Sequence, residues 1–465
     1  MLDGKVKDSH YRLMYHITPE KGLLNDPNGL IKFKGKYHVF YQWNPHGTVH
    51  KNKTWGHVIS DNMVNWERLP AALSPSEIYD KDGIYSGSAI VKEDILYLFY
   101  TGNVITEQNV KKSYQCLATS EDGIHFEKKG PIIEHPEGYT RHVRDPKVWL
   151  DEKGTFWMIL GAQTEDLKGE VLVYRSEDLI HWESRGNINR QKKISLGYMW
   201  ECPDLLRFES GDVLLISPQG IKAEPKRFDN INQTGYILGE FLDSGEFVAD
   251  SFEFTELDRG FEFYAPQSFQ DGDRTILYGW MGAMPNDIEQ TVPTVSEGWL
   301  HCLSIPRTIE LIDHIVYQKP VEELKQLRLD YQKLSISITN KDEYKFTTNT
   351  PYNEIVLNFC NPTNGFTLDI SGGFFIEHNN KENEIIISRI NWLTNEMEKR
   401  IGKYEGELKN IRIYLDGSTI EIFVNDGSLV FSSRYFVEKK NTREFIFKGD
   451  LRGIEGIVYP LEFQT

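Results

Sequence analysis

Short runs that either alternate between apolar and polar residues or are apolar throughout, many of them rich in aromatic side chains, recur along most of the chain. Residues 37–43, 96–100 and 213–217 are examples, and a polar cluster that often contains proline precedes such runs. Alternation with a period of two, bounded by turn-forming residues, is typical of half-buried β-strands and not of helices. The pattern therefore predicts an all-β protein.

Five of the polar clusters follow one another at a nearly constant spacing. Neighbouring clusters lie 57 to 63 residues apart when one residue in each is taken as its anchor. The anchors are Pro27, Gly87, Pro146, Pro203 and Pro266. A repeat of this length, built from short strands and turns, is typical of a β-propeller whose blades are four-stranded sheets. We predict a five-bladed β-propeller over residues 1–310, and a large β-sandwich with evenly spaced turns is the alternative.

Proline at the first position of a strand removes no ladder hydrogen bond, so we expect the anchors at strand starts.

After residue 310 the repeat stops. Residues 319–327 have apolar positions at helical spacing behind a proline, which predicts a linker with a short helix over 311–332. From residue 333 the alternation returns, and Asn425-Asp426-Gly427 between two apolar runs is a hairpin signal. We predict that residues 333–465 form a β-sandwich.

Composition and charge narrow the classes of partner. The chain has 465 residues, 12% of them aromatic, and a net charge of −17. This negative charge repels polyanions, so we expect no binding to nucleic acid or to anionic membranes, whereas aromatic rings suit flat ligands such as sugars. No apolar run approaches the roughly 20 residues of a membrane helix. Residues 1–8 are polar and have no signal-peptide core, so we expect a cytoplasmic protein.

Cysteine and histidine usage gives no sign of a metal centre. The four cysteines lie far apart, and no Cys-x-x-Cys pair occurs. They are Cys116, Cys202, Cys302 and Cys360. This spacing fits neither a zinc site nor a disulfide framework, and His46, His50 and His57 have no carboxylate beside them at ligand spacing. We therefore expect free thiols, no metal and no cofactor.

The side chains just before the anchors are mostly polar or charged. In a propeller the innermost strand of each blade starts near the central axis, so these side chains should converge on one mouth of the channel. The converging set is Asn25, Asp26, Ser86, Arg144, Asp145, Glu201 and Tyr264. Three carboxylates from three repeats in one concave site indicate catalysis, because they repel one another and have no structural use there.

Two carboxyl groups with different pKa values are what glycoside hydrolysis needs, one protonated and one ionised. Glu201 stands between a tryptophan and a cysteine, and this weakly polar neighbourhood predicts a raised pKa and the role of general acid. Arg144 should favour the ionised form of the adjacent Asp145. Asp26 is expected to be ionised as well.

Three sequence blocks, in this order, resemble the signature motifs of glycoside hydrolase family 32. They are Leu24-Asn25-Asp26-Pro27-Asn28-Gly29, Arg144-Asp145-Pro146 and Glu201-Cys202-Pro203. The resemblance extends over essentially the whole chain. Further matching blocks are Phe40-Tyr41-Gln42-Trp43, Trp55-Gly56-His57, Tyr85-Ser86-Gly87-Ser88, Trp280-Met281-Gly282 and Leu415-Asp416-Gly417-Ser418. This family comprises invertases, other β-fructofuranosidases and sucrose-6-phosphate hydrolases.

The resemblance implies hydrolysis of the terminal β-D-fructofuranoside bond of sucrose 6-phosphate, sucrose or both, through a covalent fructosyl-enzyme and with retention of configuration. It implies that Asp26 is the nucleophile, Glu201 the acid/base, and Asp145 the carboxylate that holds fructose hydroxyls. The positions implied to bind substrate are Asn25, Gln42, Trp55, Tyr85, Ser86 and Arg144. Leu23-Leu24 replaces an aromatic residue that many members carry, which leaves the leaving-group preference open.

Other functions stay open at this point. The same scaffold serves fructosyl transfer or fructan exo-hydrolysis, and a non-catalytic carbohydrate-binding propeller is a more distant alternative. A cytoplasmic member of the family would meet imported sucrose as its 6-phosphate, so we predict a preference for that substrate, with phosphate partners at the cavity rim. The candidates are Lys51, Lys53, Lys222, Lys226, Arg227 and His50.

Overall fold

The computed structural model describes residues 10–108, 110–190, 194–339, 342–361, 364–438 and 441–464. Residues 1–8, on which the expectation of no signal peptide depends, lie outside the described residues. Strands form nearly all of the regular structure, which confirms the prediction of an all-β protein. Within the described ranges, no helix is long and apolar enough to cross a membrane.

Five mainly antiparallel sheets come first along the chain. Sheet 1 contains β1 (Gly22–Phe33), β2 (Lys36–Asn44), β3 (Thr54–Ser60) and β4 (Glu67–Leu73), and sheet 2 contains β5 (Ile84–Lys92), β6 (Ile95–Ile105), β7 (Lys111–Ser120) and β8 (Glu127–Ile133). Sheet 3 contains β9 (Tyr139–Leu150), β10 (Phe156–Thr164), β11 (Gly169–Ser176) and β12 (Glu183–Asn187). Sheet 4 contains β13 (Met199–Phe208), β14 (Gly211–Gln219), β15 (Gly235–Phe241), β16 (Phe247–Ala249) and β17 (Thr255–Glu256). Sheet 5 contains β18 (Tyr264–Asp271), β19 (Arg274–Trp280), β21 (Arg307–Ile312) and β22 (Ile315–Pro320), and β20 (Trp299–Leu300) joins sheet 1.

The first strands of the five sheets form a closed ring of neighbours. β1 contacts β5, β5 contacts β9, β9 contacts β13 and β13 contacts β18, and β18 in turn contacts β1. Sheet 1 is also tied to the end of this region, because β20 pairs in parallel with Gly22 and Leu23 of β1. Residues that precede the anchors in different sheets are thereby brought to one centre.

Each first strand carries a β-bulge at its anchor. The pairing register shifts between Leu24 and Pro27, Tyr85 and Gly87, Arg144 and Lys147, Glu201 and Asp204, and Tyr264 and Gln267. The expectation that the anchors start the strands was therefore wrong, because they lie inside them. Proline is tolerated at a bulge since one residue there is left out of the ladder. Asp145, Cys202 and Ala265, each just before an anchor proline, have positive φ angles of 66°, 44° and 47°.

Helical segments are short and lie between strands. They are α1 (Asn286–Glu289) and the 3₁₀ turns Pro293–Val295, Glu322–Leu327 and Asn425–Gly427. The turn Glu322–Leu327 stands where the sequence predicts a short helix, and Leu324 and Leu327 are buried. Residues 315–320, however, are strand and not linker, because β22 pairs with β21 along its whole length. Asn425–Gly427 joins two antiparallel strands, as the hairpin signal predicts.

Two six-stranded antiparallel sheets form the C-terminal region. The first contains β23 (Gln332–Ile338), β25 (Tyr352–Phe359), β30 (Asn410–Asp416), β31 (Thr419–Val424), β32 (Leu429–Arg434) and β34 (Leu451–Pro460). The second contains β24 (Glu343–Thr348), β26 (Phe366–Ile370), β27 (Phe374–Asn379), β28 (Glu384–Ile390), β29 (Met397–Lys403) and β33 (Arg443–Gly449). Alternate residues of both sheets, such as Ile355, Ile413, Leu368 and Phe447, share one buried core. The region is a β-sandwich.

Buried charges join this β-sandwich to the preceding sheets. The fully buried Arg307 of β21 lies between Asp258, which precedes β18, and Glu421 of β31. His16 bonds to Asp416 at 2.7 Å and to Glu421 at 2.8 Å. The two regions therefore share a polar interface that water does not reach.

Candidate active site

A cavity of 390 Å³ lies where the five first strands meet. Its wall includes residues that precede the anchors of all five sheets. These are Asn25, Asp26, Tyr85, Arg144, Asp145, Glu201 and Tyr264. The bulges explain this placement, since a bulge re-aims the side chain beside it. Asp26, Asp145 and Glu201 therefore meet at one cavity, as the spacing of the anchors predicts.

Asp26 is held by a chain of two hydrogen bonds that runs through Ser86 of sheet 2 to Gln42 of sheet 1. Ser86 Oγ donates to Asp26 Oδ2 at 2.6 Å, and Gln42 Nε2 donates to Ser86 Oγ at 2.7 Å. Cys202 Sγ lies 3.9 Å from the same Asp26 oxygen. Asp26 Oδ2 therefore accepts from a hydroxyl, and this hydrogen bond orients the carboxylate at the cavity wall.

Asp145 occupies the strained position before Pro146. Its amide donates to Thr101 Oγ1 at 3.0 Å, and its Oδ2 accepts from the Cys202 amide at 3.0 Å. The Asp145 side chain is 4% exposed, so these contacts replace water. They connect three successive sheets around one carboxylate.

Glu201 makes the largest number of hydrogen bonds among the three carboxylates. Arg144 donates to Oε1 through Nη2 at 2.6 Å and through Nε at 3.1 Å. Tyr264 Oη and Gln219 Nε2 donate to Oε2 at 2.6 Å and 2.7 Å. A carboxylate with four donors is stabilised in its ionised form.

The pKa order of the three carboxylates differs from the predicted one. Burial raises the pKa of Asp26, although the hydrogen bond from Ser86 acts against it, and burial raises the pKa of Asp145 to about 7. Burial also acts to raise the pKa of Glu201, but the charge of Arg144 and its hydrogen-bond donors outweigh burial and lower it. The predicted raised pKa of Glu201 was wrong because Arg144 pairs with Glu201, while its Nε stays 3.8 Å from Asp145.

A second polar group lines the cavity next to Asn25, the residue that precedes Asp26. The buried Lys53 ammonium donates to Asn25 Oδ1 and lies 3.2 Å from His50 Nδ1. His50 Nε2 is 3.1 Å from Glu289, which also bonds to His301 at 2.8 Å. Burial lowers the pKa of Lys53 to about 7 despite the opposing charges of Asp26 and Glu289.

Two residues predicted to bind substrate lie behind the cavity wall. Trp55 is fully buried against Phe40, and its Nε1 donates to the backbone oxygen of Tyr85 at 3.0 Å. Ser86 is also fully buried and contacts Asp26. Trp55 therefore supports the strand that carries Tyr85, and the wall itself contains Asn25, Gln42, Tyr85 and Arg144.

Some residues of the wall were not predicted. They include Thr101, Asn103, Lys111, Ser113, Arg141, His142 and Gln219. The position of Gln219 could have been predicted, because it lies on the strand that follows the Glu201 anchor. It pairs there with Met199. Thr101 likewise pairs with Tyr85 across β5 and β6. Within the described ranges, no group of three or more His, Cys, Asp or Glu side chains is arranged to hold a metal ion.

Comparison with known proteins agrees with the sequence motifs. Residues 16–320 match the glycosyl hydrolases family 32 N-terminal domain, and residues 323–452 match the family 32 C-terminal domain. The sucrose-6-phosphate hydrolase of Bacillus subtilis (strain 168) is 43% identical over 430 residues, which cover 92% of this chain and 89% of that protein. The sucrose-6-phosphate hydrolase of Klebsiella pneumoniae is 41% identical over 93% of this chain and 90% of its own length.

Solved structures give the same result. The sucrose-6-phosphate hydrolase from Lactobacillus gasseri superposes with a TM-score of 0.88 at 30% identity, covering 98% of this chain and 94% of that one. The family 32 β-fructofuranosidase of Bombyx mori superposes with a TM-score of 0.84 at 32% identity, covering 97% and 94%. The protein belongs to glycosyl hydrolase family 32 and is a glycoside hydrolase.

Proposed function

We propose that the protein hydrolyses the terminal β-D-fructofuranoside bond of sucrose 6-phosphate and of sucrose, with retention of configuration. The observation that carries this proposal is the convergence of Asp26, Asp145 and Glu201 in one cavity, in a chain whose relatives are named sucrose-6-phosphate hydrolases. The relatives' names favour hydrolysis over fructosyl transfer and over a role limited to sugar binding.

In the first step, Asp26 attacks the anomeric carbon of fructose, and the bond to the leaving oxygen breaks as Glu201 gives that oxygen a proton. A fructosyl ester of Asp26 results. In the second step, Glu201 takes a proton from water, whose oxygen attacks the same carbon and releases Asp26 as a carboxylate. Two inversions at one carbon give net retention.

Asp145 holds fructose hydroxyls and stabilises the positive charge that develops on the ring, together with wall residues Asn25, Gln42, Tyr85 and Arg144. Ser86 and Trp55 act from behind the wall, Ser86 by fixing the Asp26 oxygen and Trp55 by supporting the strand of Tyr85. Preorganised donors of this kind act strongly in a site that excludes water.

Arg144 must release Glu201 before Glu201 can act as the acid. The guanidinium holds Glu201 ionised, and Asp145 lies only 3.8 Å from Arg144 Nε. We propose that sugar binding transfers Arg144 toward Asp145. The exchange lowers the pKa of Asp145 and raises that of Glu201, which then carries the proton that the leaving oxygen needs.

The architecture that we propose for this function is a five-bladed β-propeller followed by a connecting segment and a β-sandwich. Its support is the closed ring of β1, β5, β9, β13 and β18. We place the first boundary after Pro320, where sheet 5 ends, and the second near residue 332, where the sandwich begins. A cytoplasmic location is also a proposal, supported by four free cysteines.

The experiment is fructose release from sucrose 6-phosphate and from sucrose by the purified protein and by Asp26→Asn. We expect release by the wild type and a loss of turnover in Asp26→Asn, because an amide forms no fructosyl ester. The melting temperatures of both proteins serve as the folding control. Near-wild-type release by a folded Asp26→Asn protein would reject Asp26 as the nucleophile.

A further inference from the structure

A group of cations stands at one wall of the cavity without carboxylate partners. Lys111 and Arg141 are exposed and line the cavity mouth together with Ser113 and His142. Ser113 Oγ donates to the Arg141 backbone oxygen at 3.0 Å, which joins β7 to β9 at this point. Within the described ranges, neither Lys111 nor Arg141 has a carboxylate oxygen within 4 Å. In a chain with a net charge of −17, two cations without carboxylate partners at one cavity edge form a local positive patch, which suits an anionic ligand.

His142 is a partly buried imidazole in the same wall. Its pKa falls to about 4, first because of burial and then because of the charges of Arg144, Arg141 and Lys111. Arg144 Nη1 lies 2.9 Å from His142 Nδ1. An arginine can only donate, so His142 accepts at Nδ1 and carries its proton at Nε2. The wall thus combines two exposed charges with a neutral imidazole donor.

The wall that contains His142 lies near Glu201, the proposed general acid. Arg144 touches both Glu201 and His142, so His142 and its neighbours lie on the Glu201 side of the cavity. The general acid stands beside the leaving oxygen, and the leaving sugar therefore lies on the same side. The exposed Lys111 and Arg141 line the cavity beside His142, on the side that the proposed mechanism gives to the leaving sugar.

The cations predicted from the sequence are placed less favourably. Lys226 bonds to Glu384 at 2.6 Å, and Arg227 lies 3.4 Å from Glu256. The wall contains His50 and Lys53 but not Lys51 or Lys222. His50 and Lys53 already have partners, because Lys53 donates to Asn25 Oδ1 and His50 Nε2 lies 3.1 Å from Glu289.

We propose that Lys111, Arg141 and the Nε2–H of His142 form the subsite for the phosphate of sucrose 6-phosphate. A phosphate monoester carries close to two negative charges at neutral pH and offers three acceptor oxygens, which match two cations and one neutral donor. This subsite rests on the proposed function, since it binds the leaving half of the proposed substrate. The subsite distinguishes sucrose 6-phosphate from sucrose and takes no part in bond breaking.

The test compares kcat/KM for sucrose 6-phosphate with kcat/KM for sucrose in Lys111→Ala/Arg141→Ala. A charge-assisted hydrogen bond contributes about 10- to 100-fold in binding, so the ratio of the two constants should fall at least about tenfold, chiefly through KM for the phosphorylated sugar. Lys112→Ala is the matched control, because Lys112 is the exposed neighbour on β7 and does not line this cavity. The control should keep the wild-type ratio.

Inorganic phosphate supplies a second measurement. It should inhibit the wild type competitively, and inhibition should weaken in the double variant and as salt rises. A wild-type ratio in the double variant, or an equal fall in Lys112→Ala, would overturn the subsite. Failure of the wild type to release fructose from either sugar would instead overturn the proposed function, so the two failures are distinguishable.

Discussion

Replacing Arg307 with methionine should destabilise the whole protein, because the change removes the positive charge from a buried cluster. Arg307 Nη1 lies 3.1 Å from Asp258 Oδ2 and donates to Gln318 Oε1 at 2.8 Å. Its Nη2 donates to Glu421 Oε2 and to Ser432 Oγ, both at 2.5 Å. Methionine fills much of the volume of the arginine stem but removes the guanidinium from two buried carboxylates, of which, among the described residues, Glu421 keeps only its contact with His16 as an ion pair.

Breaking a buried ion pair on one side costs about 3–5 kcal/mol. At roughly 2.1 cal/mol/K per residue, the unfolding entropy of a 465-residue chain is about 1 kcal/mol/K, so Tm should fall by about 3–5 °C. The control is Lys319→Met in the adjacent strand, whose pair with Glu310 is 40% and 38% exposed. An exposed pair contributes about 0–1 kcal/mol, so that Tm should change by at most about 1 °C.

Scanning calorimetry at two pH values separates lost charge from lost packing. Burial already raises the pKa of Asp258, whereas the pKa of Glu421 is lowered in spite of burial, chiefly by the charge of Arg307. Without Arg307 both pKa values rise. A carboxyl with a raised folded-state pKa costs stability above its unfolded pKa and is relieved as it takes up a proton.

The loss of Tm in Arg307→Met should accordingly be larger at pH 8 than at pH 5. A loss of equal size at both pH values would refute the reasoning, because a packing defect does not titrate. An unchanged Tm at pH 8 would show that the cluster adds nothing to stability.

The remaining predictions concern catalysis. Glu201→Gln should lose on the order of 10²–10⁴ in rate with sucrose, and the loss should shrink with a fructoside whose leaving group departs unprotonated. Initial rates on both substrates test this, and equal losses would remove Glu201 from the role of acid. Fructose should first appear as the β-anomer, with carboxyl groups of Asp26 and Glu201 about 5–5.5 Å apart, whereas early α-anomer in proton NMR spectra would indicate inversion.

The candidate site could be predicted largely from the sequence, because its residues precede anchors that recur with the sheets. Asp26, Asp145 and Glu201 each stand at a bulge that the local sequence encodes with a proline. The position of the bulge within the strand was not predicted, since a proline is compatible both with a strand start and with an unpaired residue. The family resemblance implies that Trp55 binds substrate, and only the structure shows that its ring is fully buried.

The sequence alone determined the strand periodicity, the repeat length and the three motif blocks, because each can be read from the order of residues along the chain. Contacts between sheets were decided only by the tertiary structure. Arg144 could be expected to pair with its neighbour Asp145, yet the ring of first strands brings Glu201 of the next sheet closer to its guanidinium, and the pKa order of the carboxylates changes with it. The pairing of Arg307 with Glu421, 114 residues away, has the same origin, since the charges that a side chain meets depend on packing and not on sequence separation.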